Sequence, residues 1–302
     1  MIFKERTESL ELKLLRSLDV RADLIETDMQ RFHNLAKGYE GEVMFDLLTE
    51  TLKCDNFLLN DLFLDLNGNK FQIDTLMITQ DLLYLFEVKN FEGDFYYENG
   101  IFHSLASKKE IKNPLLQLER CQSLLRQLFQ SLGVRVTIEG FVIFINPRFH
   151  LYQSPLNKPI IYPNQLPDFM KKLNRKSSTL TGRHKGLAEQ LVSMHRIESP
   201  YEKYTRYTID KVKKGFICGV CGSFHISFCG RHLQCEVCGH LEGLDVAVLR
   251  MVEEIRLLYP NEKITTNLVY EWCEVIDSKK TIRRVLKQNM NCTGKTKGLI
   301  FE

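Results

Sequence analysis

Apolar and polar residues along this chain follow two periods, one that predicts strands and one that predicts helices. Four segments rich in Leu, Ile, Phe and Val have the length of strands: 57–64, 70–79, 82–90 and 134–146. Three segments repeat apolar residues every three or four positions and predict amphipathic helices: 38–52, 113–132 and 179–197. Their order along the chain predicts an α/β domain in which a mixed sheet is flanked by helices.

The segment 70–90 carries charged residues where a buried strand should exclude them. Residues 82–86 form an unbroken apolar run, typical of a strand covered on both faces, and this run leads directly into Glu87 and Lys89. An unpaired carboxylate is costly to bury. Glu87 and Lys89 are two positions apart and leave the same face of the strand. With Asp74 expected on the neighbouring strand, two carboxylates and one ammonium converge.

This trio has a use in phosphate chemistry. Two carboxylates are suitable oxygen ligands for Mg²⁺ or Mn²⁺. A cation bound there would polarise a phosphoryl group, and the Lys89 ammonium would orient the nucleophile or stabilise developing negative charge. The alternative is a structural Glu87–Lys89 pair supported by Asp74, because a Glu-x-Lys tripeptide is common by chance.

Four pieces of sequence give this trio a context. They are Lys37-Gly38-Tyr39-Glu40-Gly41-Glu42 at the start of a predicted helix, Gln72-Ile73-Asp74, Phe86-Glu87-Val88-Lys89-Asn90, and Asn113-Pro114-Leu115-Leu116-Gln117. In this order and spacing, the segment from residue 38 to about residue 145 resembles the nuclease-related domain, abbreviated NERD, of the restriction-endonuclease-like PD-(D/E)xK superfamily. The broad superfamily has proline where this chain has Ile73, but the Gln-Ile-Asp form is that of the narrower family.

The resemblance implies a restriction-endonuclease-like fold and a metal-dependent nuclease that hydrolyses phosphodiester bonds in DNA. Asp74, Glu87 and the Val88 carbonyl would hold Mg²⁺ or Mn²⁺, and Lys89 would assist the attacking water. RNA as a substrate is left open. One catalytic site per chain would need a second subunit, as in a homodimer, or a second event to cut both strands.

The resemblance also implies two accessory site residues. Glu42 would be an acid near the metal, and Gln117 would line the edge of the site from the first turn of its helix. For Glu42 the alternative is a carboxylate favoured by the helix dipole, and for Gln117 it is an exposed helix glutamine. The rival hypothesis for the whole domain is a non-catalytic nucleic-acid-binding or assembly protein on a nuclease-like fold.

Four of the nine cysteines have the spacing of a metal site. Cys218 and Cys221 form one Cys-x2-Cys pair and Cys235 and Cys238 another, with thirteen residues between the pairs and a glycine after each. Four thiolates at this spacing suit a closed, tetrahedral, structural Zn²⁺ site, and the segment resembles a zinc ribbon. The other cysteines are scattered, which suits a reducing compartment and not a disulfide framework.

Near the C-terminus, apolar periodicity predicts helices over 244–259, 264–274 and 279–289. From Ser278 to the end of the sequence, seven Lys and Arg residues stand against one acid. Two helices joined by a short turn, the second of them basic, resemble a helix-turn-helix. This resemblance would place the following side chains toward DNA: Lys279, Lys280, Thr281, Arg283, Arg284 and Lys287. A three-helix cap with a solvated basic face is the alternative.

Composition limits the class of protein. With 302 residues, of which 44% are hydrophobic and 26% charged, the chain has the make-up of a soluble protein with two or three domains, and its net charge of +3 says little about partners. No apolar run reaches the ~20 residues of a membrane helix, and the N-terminus lacks the apolar core of a signal peptide. We therefore expect a cytoplasmic protein. We expect these parts: a helical extension packed on the nuclease-like core (1–35), the nuclease-related domain (36–205), the zinc ribbon (214–243) and the helix-turn-helix-like domain (244–302).

Overall fold

The computed structural model describes residues 1–197, 200–294 and 299–302. The helices are α1 (Leu10–Arg21), α2 (Glu26–Glu50), α3 (Pro114–Ser131), α4 (Leu166–Asn174), α5 (Gly182–Ser193), α6 (Leu244–Leu258), α7 (Thr266–Cys273) and α8 (Lys279–Asn289). The strands are β1 (Ile2–Lys4), β2 (Phe57–Leu66), β3 (Asn69–Ile78), β4 (Leu82–Lys89), β5 (Gly93–Glu98), β6 (Ile101–Ser104), β7 (Glu110–Ile111), β8 (Thr137–Phe144), β9 (Phe149–Tyr152), β10 (Ile160–Ile161), β11 (Ile226–Cys229), β12 (His232–Cys235), β13 (Leu241–Gly243), β14 (Cys292–Thr293) and β15 (Ile300–Phe301).

The chain divides into two compact units. The first comprises Met1–Glu8 and His33–Glu198, and the second comprises Ser9–Phe32 and Ser199–Glu302. None of the described helices is both long and apolar enough to span a membrane.

The first unit is built on a six-stranded sheet in the order β1-β2-β3-β4-β8-β10. The pairs β2–β3 and β3–β4 are antiparallel, whereas β1–β2, β4–β8 and β8–β10 are parallel. A smaller four-stranded sheet has the order β7-β6-β5-β9. The mixed sheet flanked by helices that the sequence predicts is therefore confirmed.

Both faces of the larger sheet are covered by helices. On one face, Leu118 of α3 and Leu191 of α5 join Leu85 of β4 in one hydrophobic core. On the other face, Phe45 of α2 packs with Phe86 of β4 in a second core that also contains residues of α4. Successive residues of β4 therefore enter opposite cores, which explains why its sequence is an unbroken apolar run.

The N-terminal residues do not form the single helical extension that we expected. Residues 2–4 form the strand β1, which pairs with β2 in the first unit. In contrast, α1 belongs to the second unit, where Arg21 at its end forms an ion pair with Glu254 of α6. Helix α2 begins at Glu26, twelve residues before the predicted helix start at Gly38. Apolar periodicity alone identified α1 as a helix but not the core against which it packs.

The second unit combines a three-stranded antiparallel sheet, β11-β12-β13, with α1, α6, α7 and α8. Its core contains fully buried apolar side chains from each helix: Leu15, Val248, Met251, Trp272 and Ile282. The predicted helices near the C-terminus are all present. Two of the seven basic residues counted after Ser278, Lys295 and Lys297, lie outside the described residues.

Candidate active site and metal centres

Asp74, Glu87 and Lys89 lie where β3 and β4 diverge. The antiparallel register of these strands ends at the pair Thr75–Phe86, so Asp74 and Glu87 occupy the next position on each strand. Their side chains are brought close to Lys89 and the β4 backbone. Oδ2 of Asp74 accepts a hydrogen bond from the Val88 amide at 2.8 Å, and the Lys89 ammonium donates to Oε1 of Glu87 at 2.6 Å. Asp74 and Glu87 are only 8% and 3% exposed.

A local irregularity in β2 and β3 places Asp74 at this point. The β2–β3 register includes the pairs Asn60–Thr75 and Leu62–Ile73 but not the intervening pair of Asp61 and Asp74. Asp61 has a φ of 53°, a left-handed conformation that is unusual for a residue other than glycine. Such residues cluster at functional sites, where the surrounding structure maintains the strain.

The alternation of side chains also shifts by one position at this irregularity. Within β3, Phe71 and Ile73 belong to the same core as Leu76 and Ile78, although an undisturbed strand would place these two pairs on opposite faces. Asp74 lies at the position where the alternation shifts, and its side chain is part of neither apolar core.

Two residues that the sequence did not single out, Arg6 and Asp46, complete the charged cluster around Glu42. Arg6 follows β1, and its guanidinium donates to Glu42 at 2.5 Å and to both carboxylate oxygens of Asp46 at 2.7 and 3.0 Å. Nothing distinguishes Arg6 from the other charged residues of the N-terminus in the sequence, because its contacts lie 36 to 69 positions away.

Burial and mutual repulsion shape the electrostatics of the site. Burial, followed by the charge of Asp74, raises the pKa of Glu42 to about 8 and that of Glu87 to about 7. Burial also raises the pKa of Asp74. Burial opposes the Lys89 ammonium, but the charges of Glu87 and Asp74 outweigh it and raise the pKa of Lys89. The protein's own cations therefore do not fully compensate these carboxylates.

A close approach between helix and strand fixes the position of Glu42. A Cβ at Gly41 would lie 2.4 Å from Cβ of Asn90, so only glycine allows α2 to come this near to the end of β4. The Asn90 side chain donates to the Lys37 carbonyl at 2.8 Å and accepts from Asn146 at 2.9 Å. Gly41 and Asn90, which belong to two separate motifs of the sequence, therefore lie next to each other.

Gln117 is not hydrogen-bonded to the trio within the described residues. It is half-buried in the first turn of α3, and in the described part of the chain its side chain makes no hydrogen bond to Asp74, Glu87 or Lys89. A cation that the sequence analysis overlooked, Lys112, lies just before this helix, and its charge acts on Glu87 to lower its pKa, against the larger effect of burial.

The donor set of this site fits a hard divalent cation. Asp74 and Glu87 supply carboxylate oxygens, which are the donors that Mg²⁺ and Mn²⁺ prefer, and both are deprived of water by burial. Among the described residues, no three carboxylates have oxygens within 4.8 Å of one another. In the structure, the Val88 amide donates to one oxygen of Asp74 and the Lys89 ammonium donates to one oxygen of Glu87.

The four cysteines, in contrast, already form a compact cluster. Their Sγ atoms all lie within 4.8 Å of one another, with 3.6 Å between Cys218 and Cys238 and 3.5 Å between Cys221 and Cys235. Four sulfurs about 2.3 Å from a tetrahedral Zn²⁺ would be about 3.8 Å apart. The cluster can therefore bind zinc, and it leaves no ligand position open.

Two similar turns build this cluster. Gly222 follows the first cysteine pair with a φ of 70°, and Gly239 follows the second with a φ of 74°. Each glycine amide donates to the carbonyl of the first cysteine of its pair, Cys218 or Cys235, at 2.9–3.0 Å. Glycine is needed at both positions because a side chain disfavours this left-handed backbone.

Helix α8 presents a basic face that is separate from its buried face. Its apolar residues Ile282, Val285 and Leu286 are fully buried. Four cations at positions i, i+3, i+4 and i+7 share the other side of the helix. We call these residues the basic stripe: Lys280, Arg283, Arg284 and Lys287.

The members of the basic stripe differ in their partners. Arg284 forms an ion pair with Asp245 of α6 at 3.0 Å. Within the described residues, Lys280, Arg283 and Lys287 have no ion-pair partner. Lys279 lies apart from the stripe, since it donates to Asn267 of α7 at 3.0 Å.

Comparison with known proteins supports the assignment of the first unit. The family model of the nuclease-related domain, NERD, matches residues 37–145, which confirms the resemblance carried by the motifs. No significant match exists among curated proteins. Among solved structures, the chain is similar to the crystal structure of protein VC1899 from Vibrio cholerae, with 12% identity and a TM-score of 0.27. That match covers 55% of this chain and only 42% of the other, and it is too weak to support an inference.

Proposed function

We propose that this protein, which contains a nuclease-related domain, is a metal-dependent nuclease that hydrolyses phosphodiester bonds in DNA. The observation that carries this proposal is the convergence of Asp74, Glu87 and Lys89 at the point where β3 and β4 diverge. Two buried carboxylates with raised pKa values are costly to the fold, and perturbed groups of this kind are typical of functional sites.

Each residue of the site has a proposed role. Asp74, Glu87 and the Val88 carbonyl would hold Mg²⁺ or Mn²⁺, whose positive charge polarises the scissile phosphate. Lys89, which remains protonated beside two carboxylates, would orient the attacking water and stabilise negative charge on the phosphate. Glu42 and Gln117 are proposed as accessory residues, Gln117 through contact with the substrate.

We assign the other two features to holding the nucleic acid. Zn²⁺ bound by the four cysteines would have a structural role, because all its ligand positions are filled. The basic stripe of α8 would contact the phosphate backbone through Lys280, Arg283 and Lys287, which have no ion-pair partner in the described part of the chain. DNA is the proposed substrate in preference to RNA, and a homodimer would supply the second site needed to cut both strands.

The rival function is a nucleic-acid-binding protein without catalysis. It is favoured by one observation, that the site is neutralised in part from within, by Lys89 on Glu87 and by Arg6 on Glu42 and Asp46. Under this hypothesis these pairs are permanent structural links and no divalent cation displaces them.

Cleavage assays separate the two functions. Linear, circular and single-stranded DNA would be incubated with the zinc-loaded protein in Mg²⁺ or Mn²⁺, beside the variants Asp74→Ala and Lys89→Ala. We expect cleavage by the wild type that both variants lose. Salt-sensitive DNA binding in all three proteins, without cleavage by any of them, would overturn the enzymatic function for these substrates and favour the rival.

A further inference from the structure

Arg6 has an unusual number of partners for one side chain. Its side chain is 3% exposed, and all the side-chain nitrogens donate hydrogen bonds. Nε and one terminal nitrogen bind the two oxygens of Asp46, and the other terminal nitrogen binds Glu42. The terminal nitrogen that binds Asp46 also donates to the Asp74 carbonyl at 2.8 Å and to the Thr75 hydroxyl at 3.0 Å. One guanidinium therefore joins α2 to the residue of β3 that carries the proposed metal ligand.

The contact to the Asp74 carbonyl lies at the irregularity in the pairing of β2 with β3. The β2–β3 register omits the pair of Asp61 and Asp74, where Asp61 adopts its left-handed conformation. A buried carbonyl without a partner is costly, and the Arg6 guanidinium supplies that partner. The backbone at Asp74 is thus held by the Arg6 side chain as well as by the strand pairs on either side, Asn60–Thr75 and Leu62–Ile73.

The N-terminal segment is held against β2, and this pairing brings Arg6 close to Asp74. Strand β1 pairs in parallel with β2 through Ile2–Leu58 and Lys4–Leu59. The Lys4 ammonium donates to the carbonyls of Asn60 at 2.7 Å and Asp61 at 2.9 Å, at the same irregularity. This segment lies outside residues 37–145, the part of the chain that the nuclease-related domain model matches.

We infer that Arg6 is a positioning residue for the cation site, because its planar fork fixes the Asp74 backbone and the Glu42 carboxylate in one arrangement. This inference rests on the proposed function. It assigns to the N-terminal segment a part of the site that lies outside the matched domain. A fork of donors in fixed geometry is what arginine provides and lysine does not.

Arg21 offers a matched control for this inference. It is also buried, at 2% exposure, and it also binds a carboxylate through two nitrogens, those to Glu254 at 2.8 and 2.6 Å. It lies in the second unit, and its ring contact is with Trp272 at 4.6 Å. Replacing either arginine removes a buried fork, but only Arg6 touches the proposed site.

The test is Mn²⁺ binding by calorimetry to the full-length, zinc-loaded protein and to Arg6→Lys, Thr75→Val and Arg21→Lys. Arg6→Lys keeps the positive charge, so the net charge around the cation site is unchanged and only the fork is lost. We expect the Kd of Arg6→Lys for Mn²⁺ to rise on the order of 10–100-fold, the usual effect of losing a residue that orients metal ligands, with one site per folded chain retained. Thr75→Val, which removes one of the contacts to Arg6, should raise Kd less, and Arg21→Lys should leave it unchanged.

The Kd and the stoichiometry of Mn²⁺ binding together distinguish a positioning role of Arg6 from a purely structural role. If Arg6 only supported folding, Arg6→Lys would lower the fraction of protein that binds Mn²⁺ and leave the Kd of that fraction as in the wild type, which would overturn the inference. Equal Kd values for wild type and Arg6→Lys, alongside lost binding in Asp74→Asn, would overturn it while the proposed function stands. Absence of Mn²⁺ binding in the wild type would overturn both.

Discussion

The two candidate metal centres of this protein are built in opposite ways. The four cysteines come from two short turns, and Cys221 of the first turn is fourteen positions from Cys235 of the second. Their sulfurs already lie at mutual distances close to those of a zinc site. The oxygen site takes its groups from α2, β3, β4 and the segment after β1, and its carboxylates repel one another in the buried interior. We therefore expect the cysteine centre to depend on a bound metal that holds its two turns together. We expect the oxygen centre to be held by the fold, which bears the free-energy cost of burying several charges close together.

This difference between the two centres predicts, first, that removal of zinc has the largest effect on stability. A structural zinc contributes on the order of 10 kcal/mol to the folding of its module, so Cys235→Ser should lose bound zinc and leave β11–β13 open to proteolysis. Metal content by mass spectrometry and limited proteolysis would measure this. Cys229→Ser is the matched control, because Cys229 is exposed and lies outside the cluster. Retention of one zinc and of wild-type proteolytic resistance in Cys235→Ser would contradict the structural role.

The oxygen centre should instead depend on how closely α2 packs against the end of β4. Gly41→Ala places a Cβ against Asn90 and should destabilise the first unit by about 1–3 kcal/mol, since inserted methyl groups force the backbone apart. Gly38→Ala, in the same helix with open space around it, should stabilise by about 0.5–1 kcal/mol. Urea unfolding of both variants measures the contrast. Equal effects of the two substitutions would show that the approach of α2 to β4 is not constrained as described.

The cost of concentrated charge predicts a pH dependence in the absence of divalent cation. Burial raises the pKa of Glu87 from its ordinary 4.5 to about 7, so the folded protein holds this proton more tightly than the unfolded chain does. The contribution of Glu87 to stability is then fully present below pH 4.5 and is lost as pH rises through about 7. Glu87→Gln removes this loss, so its free energy of unfolding relative to wild type should rise by about 2–3 kcal/mol between pH 5 and pH 8. Unfolding of both proteins at pH 5 and pH 8 tests this, and a stability difference between them that does not change with pH would refute it.

The smallest expected effect concerns the basic stripe of α8. Lys280→Gln and Lys287→Gln should each weaken DNA binding about uniformly across sequences and reduce the salt slope of log affinity by about 1. Lys13→Gln, which changes an exposed lysine of α1, should leave the slope unchanged. Fluorescence anisotropy at several salt concentrations measures the slope. Identical slopes for all these proteins would remove α8 from the nucleic-acid surface.

The same contrast explains what the sequence could and could not predict. Cys218 to Cys238 form a local motif whose spacing suffices to identify the cluster, and the apolar run before Glu87 suffices to identify a buried strand end. The role of Arg6 was out of reach, because its partners Glu42, Asp46 and Asp74 are brought to it only by the parallel pairing of β1 with β2. For the same reason the sequence assigned α1 to the wrong core, since a helical pattern shows which face is buried but not against what.

The central claim is that the buried carboxylates hold a cation that serves phosphodiester hydrolysis. The most direct measurement titrates Mn²⁺ into zinc-loaded wild type, Asp74→Asn and the control Asp81→Asn while cleavage of one labelled DNA duplex is followed in the same samples. Asp81 lies exposed in the turn between β3 and β4. We expect cleavage to rise with Mn²⁺ occupancy in wild type and Asp81→Asn, and the rate in Asp74→Asn to fall on the order of 10³-fold. Equal cleavage in Asp74→Asn, or a wild type that binds Mn²⁺ to saturation and cuts nothing, would contradict the account.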